Sequence, residues 1–135
     1  MPSPHRTDIQ VRFADTDALG HLNNTSFALY AEQARLDFLR EATGEPRGGF
    51  ILAHIALDFR RQVRYGDGVH VLTWVERVGT TSVTLAQRVV ANGGTAADVR
   101  SVVVRFDYAA QRPTPFDGAA REWLAAREGA TGGAA

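Results

Sequence analysis

The sequence predicts an α+β fold in which one antiparallel sheet of five strands wraps around a single long central helix, with a short helix near the C terminus. Two observations carry this prediction: one apolar pattern of helical period near the start of the chain, and five strand-like runs of alternating or β-branched residues. The last four runs are joined by short turns, which favour antiparallel neighbours. A chain of 135 residues is long enough for one such core. We therefore expect a single domain at residues 1–128 and a flexible tail at residues 129–135.

The first strand is predicted at residues 9–13. Ile9, Val11 and Phe13 alternate there with Gln10 and Arg12. This alternation gives the segment one apolar face, as in a strand that is buried on one side.

The long helix is predicted at about residues 26–43. Asn24, Thr25 and Ser26 are suitable N-cap residues, and Gly44 is a suitable residue to end the helix. Between them, apolar residues recur at helical spacing, and they are Phe27, Tyr30, Ala31, Ala34 and Phe38.

Four further strands are predicted at residues 50–63, 69–78, 82–91 and 97–108. The turn signals between them are the GDG, GTT and NGG segments at residues 66–68, 79–81 and 92–94. Both faces of residues 69–78 carry apolar side chains, which predicts burial of part of the outer surface against a second subunit. A short amphipathic helix is expected around Trp123 and Leu124.

The composition excludes several classes of function. Fifteen basic and fifteen acidic residues cancel, so no bulk charge attracts the chain to nucleic acid or to an anionic membrane. The absence of cysteine rules out a disulfide scaffold, a thiolate metal site and a cysteine nucleophile. All fifteen basic residues are arginine, which rules out a Schiff-base lysine. No apolar leader or long apolar run is present, and we expect a cytoplasmic protein without a membrane segment.

The loop at residues 14–24 concentrates polar side chains immediately before the long helix. It contains Asp15, Asp17, His21, Asn23 and Asn24 together with a glycine. A carboxylate beside the first turn of a helix can act as a base or nucleophile, while free N–H groups of that turn polarise a carbonyl. The loop therefore predicts an acyl-transfer site.

These residues resemble a known family. The VRFADTD segment at 11–17, followed by GHLNN at 20–24, looks like the signature of the hotdog-fold acyl-CoA thioesterases, in particular the 4-hydroxybenzoyl-CoA thioesterase-like branch. The likeness continues in EQAR at 32–35, in DFRRQVRYGD at 58–67 and in GTTSV at 79–83. It covers roughly residues 8–124.

Two positions depart from the family pattern. Gln62 stands where the family often has proline, and Phe27 stands where it commonly has tyrosine. Neither position bears a carboxylate, so both departures concern the fit of the substrate more than the chemistry.

The resemblance implies that Asp17 is the catalytic carboxylate, acting as a nucleophile or as a general base on water. The alternative is that Asp17 only closes the loop as an Asx turn. The backbone N–H of Asn24 is implied to face the thioester oxygen, and His21 is either a general acid or a structural hydrogen-bonding group. We expect Asp15 to be structural, held by backbone N–H groups or by an arginine.

Substrate binding is expected to involve Asn23, where the loop turns into the helix. Phe27 and Tyr30 suit the acyl group, and the same two residues are equally expected in the core. Arg61 and Arg64 suit the phosphates of coenzyme A, since arginine binds phosphate with two parallel hydrogen bonds. Thr81 and Ser82 offer further hydroxyl and N–H groups at a strand turn. No cofactor and no metal are predicted, because the loop lacks cysteine and a histidine pair at metal spacing.

The resemblance implies an acyl-CoA substrate and a homodimer that assembles to a homotetramer. Three alternatives remain open from the residues. The chain could hydrolyse thioesters of acyl carrier protein, hydrate an enoyl-CoA, or bind acyl-CoA without catalysis.

Overall fold

The computed structural model describes residues 3–44 and 49–129. Except for Gly129, the tail predicted at residues 129–135 lies outside the described residues. The elements in chain order are β1 (His5–Ile9), a 3₁₀ turn (Phe13–Asp15), α1 (Asn24–Thr43), β2 (Phe50–Phe59), β3 (Val69–Val78), β4 (Ser82–Ala91), β5 (Gly94–Asp107), β6 (Arg112–Pro113) and α2 (Gly118–Ala125).

The strands form one antiparallel sheet in the order β1-β3-β4-β5-β2, with the short β6 paired to the end of β5. The helix α1 packs across one face of this sheet, against β1, β3 and β4, and α2 packs beside it. The predicted α+β architecture is therefore confirmed. β1 and β2 form the two edges of the main sheet.

The long helix begins two residues earlier than predicted. Asn23 is its N-cap, and the Asn23 side-chain oxygen accepts the N–H of Thr25 at 3.0 Å. At the other end, Gly44 adopts a φ of 72°, and its N–H donates to the carbonyl of Arg40 at 2.7 Å. A positive φ is readily adopted by glycine, which explains why the helix ends here.

The prediction of a strand at residues 9–13 was wrong. The strand ends at Ile9, and Phe13 lies in the 3₁₀ turn with 77 % of its surface exposed. The reason is the side chain of Asp15, which accepts the backbone N–H of Arg12 at 3.0 Å and so closes a tight turn. Alternation of apolar residues could not reveal a turn made by a side chain.

The other strands differ from prediction only at their ends. β3 and β4 have the predicted bounds, whereas β2 stops at Phe59 and β5 begins at Gly94. β2 stops because the N–H groups of Arg60 and Arg61 both donate to the carbonyl of Ala96, at 2.8 and 3.1 Å, which ends the regular ladder. The two-residue β6 was not predicted and adds a sixth strand to the five expected.

Two apolar clusters make up the core between α1 and the sheet. One surrounds Phe27 and Tyr30 near the start of α1, and the other surrounds Phe38 near its end. Between them lies the buried Gln87, whose side-chain N–H donates to the Ala31 carbonyl at 3.0 Å and to the Thr73 hydroxyl at 3.1 Å. This pair of bonds ties the middle of α1 to β3 and β4.

The outer face of β3 is partly covered within the protomer itself. Leu72 is already buried within the protomer, and Trp74 is half-buried, with the guanidinium of Arg88 at 5.9 Å from the centre of its ring. The edge strand β2 also carries exposed apolar side chains: Ile51, Leu52 and Phe59 are 38 %, 42 % and 50 % exposed.

Candidate active site

Asp15 is the most firmly held residue of the loop, with 3 % of its surface exposed. One carboxylate oxygen, Oδ1, accepts a hydrogen bond from Nη2 of Arg12 at 2.8 Å. The other, Oδ2, accepts the N–H of Arg12 at 3.0 Å and the hydroxyl of Tyr30 at 2.6 Å. The expectation that Asp15 binds a backbone N–H and an arginine is confirmed.

These contacts shift two pKa values in opposite directions. The hydrogen bond from the Arg12 side chain, helped by those from Tyr30 and the Arg12 backbone, outweighs burial and lowers the pKa of Asp15 to about 2. Burial first, and then the hydrogen bond to Asp15, raise the pKa of Tyr30 above its ordinary value. Asp15 is therefore ionised at neutral pH and Tyr30 is neutral.

The low pKa of Asp15 predicts a pH-dependent contribution to stability. The folded protein holds this carboxylate ionised below its ordinary pKa of 3.8, so the unfolded chain binds the proton more readily. We expect Asp15→Asn to lower the free energy of unfolding by about 1–3 kcal/mol at neutral pH. The difference from wild type should shrink as the pH falls from about 4 towards 2. Urea denaturation of both proteins across this range measures it, and a difference that does not change with pH would contradict the prediction.

Asp17 lies two residues further, at the base of a tight loop. Its N–H donates to the carbonyl of His21 at 2.8 Å, and its side-chain Oδ1 accepts the N–H groups of Leu19 at 2.8 Å and of His21 at 3.2 Å. Within the described part of the chain, its second oxygen, Oδ2, makes no hydrogen bond. The Asx-type closure therefore uses one oxygen of Asp17, and the other is available to a substrate or a water.

The loop is fixed to the start of α1 and to the segment after β2. The N–H of Leu22 donates to the carbonyl of Val63 at 2.6 Å, and His21 and Arg64 form an isolated antiparallel bridge. Asn23 caps the helix through its side chain, one residue before the first of the predicted cap residues. Asn24 is the first helical residue, and the N–H groups of the first turn precede intrahelical hydrogen bonding and can face a ligand.

A groove of about 350 Å³ brings these groups together, and we name it the Asp17 groove. One wall comes from the loop and the start of α1, and the other from the end of β2 and the residues after it. The residues that line it are Asp17, Leu19, His21, Leu22, Asn24, Phe27, Phe59, Arg60, Arg61 and Gln62.

Of the sequence-predicted site residues, Asp17, His21, Asn24, Phe27 and Arg61 line this groove together. Asn23 adjoins it as the cap. A carboxylate, an imidazole and helix N–H groups in one apolar-walled groove can polarise a carbonyl and activate water against it.

Two arginines near the groove, Arg61 and Arg64, make different contacts. The Arg61 guanidinium donates to the carbonyl of Ala91 at 2.7 Å and lies over Gly94, where a Cβ atom would collide with it. Arg64 has an exposed side chain, while its N–H donates to Asp67 at 2.8 Å. That bond is the main cause of the lowered pKa of Asp67.

Thr81 and Ser82 lie at the opposite end of the sheet from Asp17. Ser82 pairs with Val104, which pairs in turn with Ile51 at the start of β2, whereas the groove adjoins Phe59 at the end of β2. A ten-residue strand spans about 30 Å, and a single protomer therefore does not bring Thr81 and Ser82 to the groove.

Phe59, Leu19 and Gln62 line the groove without having been predicted as site residues. Phe59 is 50 % exposed and packs edge-to-face on Phe27, with ring centres 5.4 Å apart. The sequence feature that could have indicated Phe59 as a site residue is its place at the end of an apolar run, directly before the charged residues 60 and 61. Leu19, an apolar residue in a polar loop, carried a similar signal.

The described residues contain no group of three or more His, Cys, Asp or Glu side chains that could hold a metal ion. None of the helices described at residues 3–44 and 49–129 is both long and apolar enough to cross a membrane.

An antiparallel sheet packed on one long helix, with a carboxylate in a groove at the start of that helix, is the arrangement expected of the hotdog-fold thioesterase class. The chain belongs to the thioesterase-like superfamily, whose family model matches residues 11–124. The predicted family and fold are therefore confirmed.

Two curated relatives are similar in sequence to part of this chain. The acyl-CoA thioester hydrolase YbgC of Escherichia coli O6:H1 is 26 % identical over 105 residues, which are 73 % of this chain and 78 % of that protein. The uncharacterized protein YsmA of Bacillus subtilis is 28 % identical over 80 residues, 57 % of this chain. The match with YsmA spans about half of that protein's length, 54 %.

Two solved structures are similar over nearly the whole chain. A predicted thioesterase from Bacillus stearothermophilus has a TM-score of 0.87 and 32 % identity, and the match covers 94 % of this chain and 98 % of that one. A thioesterase from Thermus thermophilus, complexed with coenzyme A and Zn, has a TM-score of 0.84 and 35 % identity, with coverage of 92 % and 93 %.

Proposed function

We propose that the protein hydrolyses an acyl-CoA thioester to a free acid and coenzyme A. The observation that carries the proposal is the Asp17 groove, where a carboxylate with one free oxygen adjoins the first turn of α1. The name of the relative YbgC and the coenzyme A bound to the Thermus thermophilus thioesterase support it. A cytoplasmic location stays a prediction from the sequence.

In the proposed reaction the thioester oxygen accepts the backbone N–H of Asn24. This hydrogen bond stabilises the negative charge that develops on the oxygen when the carbonyl carbon is attacked. Asp17 either takes a proton from the attacking water or attacks the carbon itself to form an anhydride that water then cleaves. In both routes the C–S bond breaks, and the sulfur of coenzyme A leaves and takes up a proton.

We propose His21 as the group that supplies the proton in the last of these steps. Its backbone N–H binds Asp17 at 3.2 Å, and its half-buried side chain lines the same groove. An imidazole in this position can deliver the proton to the leaving sulfur. Phe27 and Phe59 supply the apolar wall for the acyl group.

Coenzyme A requires further contacts, for which we propose Arg61 and Arg64 of one protomer with Thr81 and Ser82 of a second. β2 is a ten-residue edge strand with exposed apolar side chains, and such edges pair readily with another strand. Antiparallel pairing of two β2 strands would set the Phe50 end of one beside the Phe59 end of the other. The turn bearing Thr81 and Ser82 would then approach the partner's groove. We propose this homodimer as the functional unit, and its assembly to a homotetramer remains a prediction.

Leu52→Asp tests the proposed dimer. A charge at this 42 % exposed position of the edge strand should convert the dimer to a monomer and lower thioesterase activity at least about tenfold, because pairing would take the carboxylate out of water. Sedimentation velocity measures the mass. Ala110→Asp, in the exposed turn after β5, is the control and should leave both mass and activity unchanged. A dimeric, fully active Leu52→Asp protein would contradict pairing through β2.

Release of free thiol from short, long and aromatic acyl-CoAs tests the proposed reaction. Turnover of at least one of them is expected. If only thioesters of acyl carrier protein are hydrolysed, these are the substrate in place of acyl-CoA. Loss of the ultraviolet absorbance of an enoyl-CoA without thiol release would indicate a hydratase. Tight binding of acyl-CoA without any release would show a binding protein and overturn the proposal.

A further inference from the structure

Asp15 touches α1 at three points along one face of the helix. Its backbone carbonyl accepts the N–H of Asn23 and the hydroxyl of Ser26, both at 2.9 Å. Its side chain accepts the hydroxyl of Tyr30 at 2.6 Å. Residues spaced by three and four lie above one another on a helix, so Asp15 is bound along the first two turns of α1.

The same residue also closes the turn that precedes it. Both carboxylate oxygens bind Arg12, through the backbone N–H at 3.0 Å and through Nη2 at 2.8 Å. The next residue, Thr16, pairs with Leu22 across the base of the Asp17 loop. Asp15 therefore joins three parts: the turn before it, the loop after it and the start of α1.

We propose that Asp15 is a positioning residue, which holds the Asp17 carboxylate in register with the Asn24 N–H. This inference rests on the proposed function. Asp15 is buried and does not line the Asp17 groove, so it acts through Asp17 and not on the substrate. Asp17 and the Asn24 N–H must meet one carbonyl group, and a displacement of about 1 Å between such groups costs roughly a hundredfold in rate.

The test compares wild type with Asp15→Asn and Tyr30→Phe. Asp15→Asn keeps the size of the side chain but loses the charge that binds Arg12, and Tyr30→Phe removes only the hydroxyl that ties the carboxylate to α1. Asp117→Ala is the matched control, since Asp117 accepts the N–H of Ala120 at 2.7 Å and caps α2, outside the groove. For each protein, kcat and KM are measured below its melting temperature, together with hydrogen exchange of the Leu19 and His21 amides.

Asp15→Asn is expected to lower kcat between about tenfold and a hundredfold and to change KM less than about threefold. Exchange of the Leu19 and His21 amides should accelerate at least about tenfold, because these N–H groups donate to Asp17. Tyr30→Phe should shift kcat and exchange in the same direction by a smaller factor. Asp117→Ala should lower only the melting temperature.

A kcat of wild-type size in Asp15→Asn would overturn the proposal, and so would an equal loss of kcat in Asp117→Ala. If Asp15→Asn does not fold, Tyr30→Phe decides by the same criteria. If wild type hydrolyses no thioester, the proposed function fails, and the exchange rates alone decide whether Asp15 holds the Asp17 loop.

Discussion

Asp17→Asn lowers kcat/KM for acyl-CoA hydrolysis by about a hundredfold or more, with the fold intact. Asparagine retains an oxygen that can accept the N–H groups of Leu19 and His21, so the loop keeps its closure. It cannot take a proton from water or attack a carbonyl, so the chemical step is lost while binding of the substrate remains. The loss should therefore fall on kcat and leave KM nearly unchanged.

The matched control for this substitution is Asp8→Asn. Asp8 is an exposed carboxylate on β1 that pairs with Arg6 at 2.9 Å and does not line the groove. Thiol release and thermal unfolding are measured on all three proteins. Activity that survives Asp17→Asn would move the chemistry to another residue of the groove, with His21 as the first candidate.

Phe38→Ala lowers the free energy of unfolding by about 3–5 kcal/mol. Phe38 is fully buried, and its ring packs edge-to-face on His5 at 5.6 Å and on Trp123 at 5.0 Å. Removing the ring leaves a cavity where α1, β1 and α2 meet, and surrounding side chains in a packed core fill such a cavity only in part. Urea denaturation measures the change.

Leu29→Ala, on the outer face of the same helix, is the control. Leu29 is 48 % exposed, and its replacement should change the free energy of unfolding by less than about 0.5 kcal/mol. Equal losses for the two variants would contradict the assignment of one face of α1 to the core. Because α1 carries Asn24 at its start, loss of Phe38 should also lower activity near the melting temperature.

Hydrophobic patterns were sufficient to predict most of the fold. β3 and β4 were predicted to the residue, because turn residues bound them and their inner side chains alternate. The helix was predicted to within two residues at its start, and the single difference came from Asn23 acting as the cap in place of a later residue. Features of this kind depend on local sequence, which is why they could be predicted.

Features that depend on contacts between distant residues could not be predicted. The attachment of Asp15 to α1 depends on the hydroxyl of Tyr30, which lies fifteen positions further along the chain. Phe59 enters the site because β2 pairs with β5 at the edge of the sheet beside α1, which no local pattern indicates. The separation of Thr81 and Ser82 from Asp17 likewise follows from strand order.

A second, larger cavity, of about 420 Å³, lies on the outer face of α1 and is bordered by Asp15, Arg12, Tyr30, Leu29 and Leu36 among others. Three carboxylates border it, those of Asp15, Glu32 and Asp37. Both oxygens of Asp15 already accept hydrogen bonds from Arg12 and Tyr30, and Asp37 lies 3.6 Å from Arg40. Neither Asp17 nor the first turn of α1, residues 24–26, borders this cavity. Its size is therefore a poorer guide to the site than the free oxygen of Asp17 in the smaller groove.

The structure of the protein with an inert substrate analogue tests the central claim most directly. In such an analogue a methylene group replaces the thioester sulfur of an acyl-CoA, so the carbonyl remains and cannot be hydrolysed. We predict that it binds in the Asp17 groove, with its carbonyl oxygen about 2.7–3.1 Å from the Asn24 nitrogen. Oδ2 of Asp17, or a water bound to it, should lie about 3–3.5 Å from the carbonyl carbon. An analogue seated in the larger cavity, or with its carbonyl turned away from Asn24, would contradict the assignment of the active site.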